Sequence, residues 1–120
     1  MVNVVQLEDY LERSPEDDIR GKDIVWFAGG YSAYLLYWIR RTKLDTVLKD
    51  ILNEGTLYVG SSAGSIITSK DQDFAEWIIG GEEPGAGLIP GLDLVNFNFY
   101  PHYEESLYDE IKSKFKGKKM

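Results

Sequence analysis

The chain has no cysteine and one histidine, and those two scarcities remove much of the usual catalytic repertoire. Without thiols there is no disulfide, no thiolate metal site and no cysteine nucleophile, and one imidazole is too few for a histidine-based zinc cluster. A metal-free mechanism with no cofactor is the expectation. No apolar run approaches the roughly 18 residues that span a bilayer, and the opening MVNVVQLEDYLERSPEDD lacks the basic-then-apolar order of a secretory leader. These features lead us to expect a soluble, cytoplasmic protein. At 120 residues it is expected to be one α/β domain, large enough to bury about two thirds of its unfolded surface.

Acid is also missing from one place, the last nine residues KSKFKGKKM, which hold five of the thirteen cations. Residues 1–111 are left with eight cations against all twenty acids, a net charge of −12. So acidic a body repels phosphate backbones, and no nucleic-acid partner is expected. The lysine-rich end reads as a frayed, solvated terminus.

No internal repeat or low-complexity linker is found. Residues 23–28, DIVWFA, form a short β-branched and aromatic run closed by Gly29-Gly30, the pattern of a buried strand. From Ser32 the apolar residues Leu35, Leu36, Trp38 and Ile39 sit on helical spacing. After a break at Thr42-Lys43, Leu44, Val47, Leu48, Ile51 and Leu52 resume it, and Gly55 is placed to end the helix. Residues 56–59 then read as a second strand. The crossover between the two strands is long, so they should pair in parallel within an α/β sheet. Only Ile66 and Ile67 promise a helix after the next turn. Residues 69–91 look like a long, functional surface loop. Residues 92–99, LDLVNFNF, alternate like a strand, and residues 104–115 have the spacing of a terminal helix. Near the start, residues 4–7 suggest a strand fragment and residues 8–13 a helical turn. Tyr31, Tyr34 and Tyr37, three apart, suggest packing of a helix face. Arg40 and Arg41 read as surface charges at a helix end.

The turn Gly60-Ser61-Ser62-Ala63-Gly64 fits G-x-S-x-G, in which small neighbours let a strand turn sharply into a helix and hold the serine above the sheet. The amide of Ala63 would lie at that helix start, where N–H groups lack partners in the helix and can stabilise an oxyanion. A second donor is expected from Gly29-Gly30, at the end of the neighbouring parallel strand, because such sheets gather ligand-binding loops on one edge. A serine hydroxyl needs a base, and His102 is the only histidine, placed just past another predicted strand. The alternative for the glycine turn is an anion-binding nest, although the loop holds no lysine.

The blocks WFAGGYSAYLLYWIRRTKLDTVLKDILNEGTLYVGSSAGSI and GLDLVNFNFYPHYEE together resemble the central part of the dipeptidase E (aspartyl dipeptidase) and cyanophycinase family of serine peptidases. The resemblance covers about residues 20–110. It implies a parallel-sheet, three-layer fold of the glutamine-amidotransferase-like (flavodoxin-like) kind, shortened at both ends. It also implies Ser62 as nucleophile, His102 as general base, and the amides of Gly30 and Ala63 as the oxyanion hole. The implied substrate is a dipeptide or isopeptide, often with an aspartyl residue on the acyl side. Tyr31, Ser32 and Ala33 stand where family members usually carry Asn-Thr-Phe. The family glutamate that orients the histidine has no evident counterpart, and neither does the substrate-binding arginine, since no Arg follows Arg41. Candidates for the orienting acid are Glu83, with Glu82, in the loop between nucleophile and base, and Glu105, with Glu104, beside His102. For each of them a solvated surface carboxylate is the competing reading.

Two functions follow. One is a serine-type dipeptidase working through a Ser62 acyl-enzyme, and the other is a catalytically silent family member that acts as a binding module. A strand at residues 23–28 without its family neighbour exposes unpaired backbone groups, which favours a homodimer that buries this edge or the helix face around Trp38, with an acid of one copy, Glu104 or Glu105, brought toward His102 of the other.

Overall fold

The computed structural model describes residues 2–77 and 83–120. The first regular elements are a 3-10 turn at Leu7–Asp9 and a short helix α1 at Glu16–Ile19, which buries Ile19. The strand fragment expected at residues 4–7 does not form. Val2 and Val4 are exposed, residues 2–6 are irregular, and Leu7 already begins the 3-10 turn.

Strand β1, Ile24–Phe27, and strand β2, Leu57–Gly60, pair in parallel with Ile24 opposite Leu57 and Phe27 opposite Gly60. Two bonds extend the ladder past its ends, from the Leu57 amide to the Asp23 carbonyl (2.8 Å) and from the Ser61 amide to the Phe27 carbonyl (3.1 Å). The crossover is made by α2, Ser32–Arg41, and α3, Asp45–Asn53. Between the helices Lys43 takes a positive φ of 63°, and the Thr42 hydroxyl bonds back to the Trp38 carbonyl at 2.7 Å, which ends α2 where Thr42-Lys43 predicted a break. Gly55, at φ 113°, turns the chain out of α3 toward β2.

Alternation along the strands decides where the core lies. Val25, Phe27 and Tyr58 face the helices and join Leu36, Ile39, Leu44, Leu48, Ile51 and Ile67 in one cluster. Ile24, Trp26 and Leu57 point the other way and are exposed. Parallel sheets normally have both faces covered. Among the described residues only one face is, so two of the three expected layers are present. Tyr31, just before α2, and Tyr34 and Tyr37 on it also face outward: all three are exposed, because their three-residue spacing falls opposite the buried Leu36 and Ile39. Tyr34 and Tyr37 contact Trp38 edge-on, and the Tyr34 hydroxyl reaches Glu8 at 3.0 Å.

Beyond β2 come two four-residue helices, α4 at Ala63–Ile66 and α5 at Phe74–Trp77, then 3-10 turns at Ala86–Leu88 and Glu105–Leu107 and a final helix α6, Tyr108–Lys114. Part of the predicted loop is therefore organised. Residues 92–99, expected as a strand, are irregular. The amide of Leu92 bonds to the Ile67 carbonyl (2.8 Å), and those of Leu94 and Val95 both reach Thr68. Asp93, at φ 54°, breaks the extended run. The strand-like alternation has a different use: Leu92 and Leu94 pack on the main core from outside the sheet.

The C-terminal residues are packed rather than frayed. Phe115 is buried and stacks on Phe74 with ring centroids 3.5 Å apart. The Lys118 ammonium pairs with Asp71 and with Asp73, and both the backbone and side-chain nitrogens of Asn98 donate to the Lys119 carbonyl. Lys118 of this tail therefore neutralises acids of the segment that follows α4. No described helix is long and apolar enough to cross a membrane.

Candidate active site

Small residues let the chain leave β2 sharply. A β-carbon on Gly60 would press on the backbone of Gly64, and one on Gly64 would overlap the Phe27 carbonyl, so α4 lies directly against the end of β1. The half-buried Tyr58 hydroxyl donates to the Gly64 carbonyl and ties this turn to the sheet. Ser62, between the glycines, adopts φ 53° and ψ −115°, a backbone conformation that costs a non-glycine residue about 1–3 kcal/mol. Strain of this kind lifts the side chain out of the turn.

Ser62 Oγ lies 3.0 Å from Nε2 of His102. His102 follows Pro101 in a turn of the irregular segment, with φ 62°, and its side chain is exposed while Ser62 is half-buried. The structure thus joins a serine and a histidine forty residues apart at hydrogen-bond distance. Gly29 is the third neighbour: a β-carbon there would stand 3.4 Å from that of Ser62 and 3.8 Å from its hydroxyl. The loop that carries Gly30, at φ 120°, therefore passes directly beside the serine. Ala63 begins α4, so its amide emerges at the same place. Trp26, on the exposed sheet face, donates from its indole nitrogen to the Ser61 hydroxyl at 3.1 Å.

Glu83 is placed elsewhere. Its carboxylate accepts from the Ser32 amide (2.9 Å), the Ser32 hydroxyl (2.6 Å) and the Ala33 amide (3.0 Å), at the first turn of α2. Sequence reading noted Ser32 and Ala33 as a departure from the family pattern but not as donors to Glu83. The signal was available, since Tyr31 precedes α2 and its distant phenol makes no capping bond, so the helix start needs an acceptor from elsewhere. Glu105 opens the 3-10 turn after His102 and is exposed. Glu82 lies outside the described residues. Among the described residues no carboxylate hydrogen-bonds His102. Arg40 donates to the carbonyls of Pro90 and Gly91, bracing the long loop. No group of three potential metal-ligating side chains occurs among the described residues.

Comparison with known proteins adds an independent line. The model of peptidase family S51 matches residues 2–118. An uncharacterized peptidase of Listeria monocytogenes is 31% identical over 98 residues, covering 80% of this chain and 47% of its own length. A protein named peptidase E from Nostoc is also 31% identical, over 82% of this chain and 39% of its own length. The crystal structure of a protein described as peptidase E, from Listeria monocytogenes EGD-e, superposes with a TM-score of 0.67 at 27% identity. It covers 88% of this chain and 54% of its own. The chain spans about half the length of the curated relatives it matches.

Proposed function

The chain belongs to peptidase family S51, and from that premise we propose that it is a serine-type peptidase acting on dipeptides or isopeptides through an acyl-enzyme on Ser62. The observation that carries this reading is the 3.0 Å contact between Ser62 Oγ and His102 Nε2. In the proposed reaction His102 accepts the hydroxyl proton as Oγ attacks the substrate carbonyl carbon, and the negative charge moves to the carbonyl oxygen. The amides of Gly30 and Ala63 are the proposed donors to that oxyanion. His102 then returns the proton to the departing amine, and water, deprotonated by the same imidazole, releases the acyl group. The resemblance to dipeptidase E supports an aspartyl residue on the acyl side and a glutamine-amidotransferase-like parent fold.

A fluorophosphonate probe tests the nucleophile directly. Wild-type protein should be labelled at Ser62 and Ser62→Ala should not. Folded wild-type protein that resists the probe would sink the reading.

A second reading, a catalytically silent binding module, is favoured by one observation: among the described residues, His102 has no carboxylate partner. A panel of aspartyl and non-aspartyl dipeptides separates the two, because only a peptidase loses turnover in Ser62→Ala. We also propose a homodimer, in which a second copy covers the exposed Ile24, Trp26 and Leu57 face and brings an acid such as Glu105 toward His102. A light-scattering mass equal to one chain at micromolar concentration would rule the dimer out.

A further inference from the structure

The loop beside Ser62 is poorly held by the backbone itself. Among the described residues, no amide from Gly29 to Tyr31 donates to a backbone carbonyl, and Gly30 stands in open space at φ 120°. Two glycines in sequence give such a segment many conformations, and an oxyanion donor is useful only when fixed beforehand. Something outside the loop must therefore fix it.

Glu83 is the group positioned to do so. Its carboxylate takes three hydrogen bonds from Ser32 and Ala33, the residues that end the loop and begin α2. The Glu83 backbone is itself tied down, its amide donating to the Ala75 carbonyl in α5 at 2.9 Å. On the nearby 3-10 turn the Gly87 amide donates to Glu76, also of α5, at 2.9 Å. A continuous path thus runs from the segment after the nucleophile helix, through α5 and Glu83, to the loop facing Ser62. An anionic acceptor at the first turn of a helix is also favourably placed against the unpaired amides there, and charge-assisted bonds are about twice as strong as neutral ones.

We infer that Glu83 is a positioning residue, which holds the Gly29-Gly30 loop against Ser62 by clamping the first turn of α2. The inference rests on Ser62 as the reacting group, and it gives the acid between nucleophile and base a role on the oxyanion side of the site rather than on His102. Loss of the clamp should slow the chemical step without changing how the imidazole titrates.

The test combines labelling kinetics with amide exchange on wild type, Glu83→Gln and Ser32→Ala. In Glu83→Gln the maximal rate of fluorophosphonate labelling should fall roughly 10- to 100-fold, the range for a displaced donor. The half-saturating probe concentration and the pH midpoint of labelling should stay as in wild type. Hydrogen exchange at residues 29–33 should accelerate while the core of α3 stays protected. Wild-type labelling rates in Glu83→Gln would overturn the inference, as would a shifted pH midpoint, which would put Glu83 on His102 after all. If wild type is not labelled, the nucleophile reading fails, and exchange alone judges the clamp: unchanged exchange at residues 29–33 would overturn it. Should Glu83→Gln not fold, Ser32→Ala, which removes one of three donors, is read by the same criteria with a smaller effect.

Discussion

Gly64 lies against the carbonyl of Phe27 so closely that any β-carbon on it would overlap the strand. The contact sets the height of the serine above the sheet, because α4 and the end of β1 share one backbone-to-backbone surface. Gly64→Ala must push α4 away. We expect a loss of about 1–3 kcal/mol in stability, the usual range for overpacking, together with loss of Ser62 labelling. Urea unfolding and probe kinetics on one preparation check both.

Ser62 is held at φ 53° and ψ −115°, where glycine is at less disadvantage than any other residue. Ser62→Gly should therefore abolish labelling yet raise stability by about 1 kcal/mol, net of the extra chain entropy glycine brings to the unfolded state. A midpoint below wild type in urea would contradict the strain reading.

His102 is exposed and contacts the serine through a single nitrogen. His102→Ala should leave the melting temperature close to that of wild type and slow labelling by about 10²- to 10⁴-fold, the usual contribution of a general base. An unchanged rate would detach the imidazole from the chemistry.

Phe115, near the C-terminus, is buried against Phe74. Phe115→Ala should cost about 3–5 kcal/mol, as expected for emptying a buried aromatic site. Loss of under 1 kcal/mol would mean that the end of the chain is not docked in solution.

The pH dependence of stability follows from two groups. Burial pushes the Tyr58 phenol well above its ordinary 10.0, so the fold favours the neutral form. That contribution is complete below about pH 10 and is lost as the pH rises beyond it. Burial alone would raise Asp71, but its bonds from Lys118 and the Asp73 amide outweigh that and hold it below 3.8. Its contribution is present above about pH 4 and disappears as the pH falls through the lowered value. Melting temperature should form a plateau between those limits, and Tyr58→Phe should show a shallower alkaline decline than wild type.

Local patterning carried the sequence reading where one segment determines its own structure. The apolar run ending in Gly-Gly, the break at Thr42-Lys43 and the small-residue turn around Ser62 each follow from steric rules that act over a few residues. The Ser62 and His102 positions were legible for a further reason: a lone histidine leaves no competitor. Residues 92–99 misled because a period of two reports only which side chains are buried. It says nothing about whether a strand or a helix provides the cover, and here the carbonyls of Ile67 and Thr68 take the bonds that a neighbouring strand would have made. The lysine-rich tail misled by composition, since nothing local to it signals Asp71 and Asp73, more than forty residues earlier. Glu83 was singled out for its position in chain order, but its three donors lie fifty residues away at the start of α2, and only folding brings them together.

The two halves of the site differ in mechanical stiffness. Ser62 follows the end of β2, which is locked beside β1, and the Gly29-Gly30 loop leaves the end of β1 and is held at its far side by the Glu83 bonds to Ser32 and Ala33. His102 rides on a segment with no regular structure, joined to Ser62 by a single hydrogen bond. Heating the folded protein therefore stretches the softer of the two couplings first. The Ser62–His102 distance is the compliant coordinate of this molecule, and the paired strand ends behind the serine hold until the sheet itself gives way.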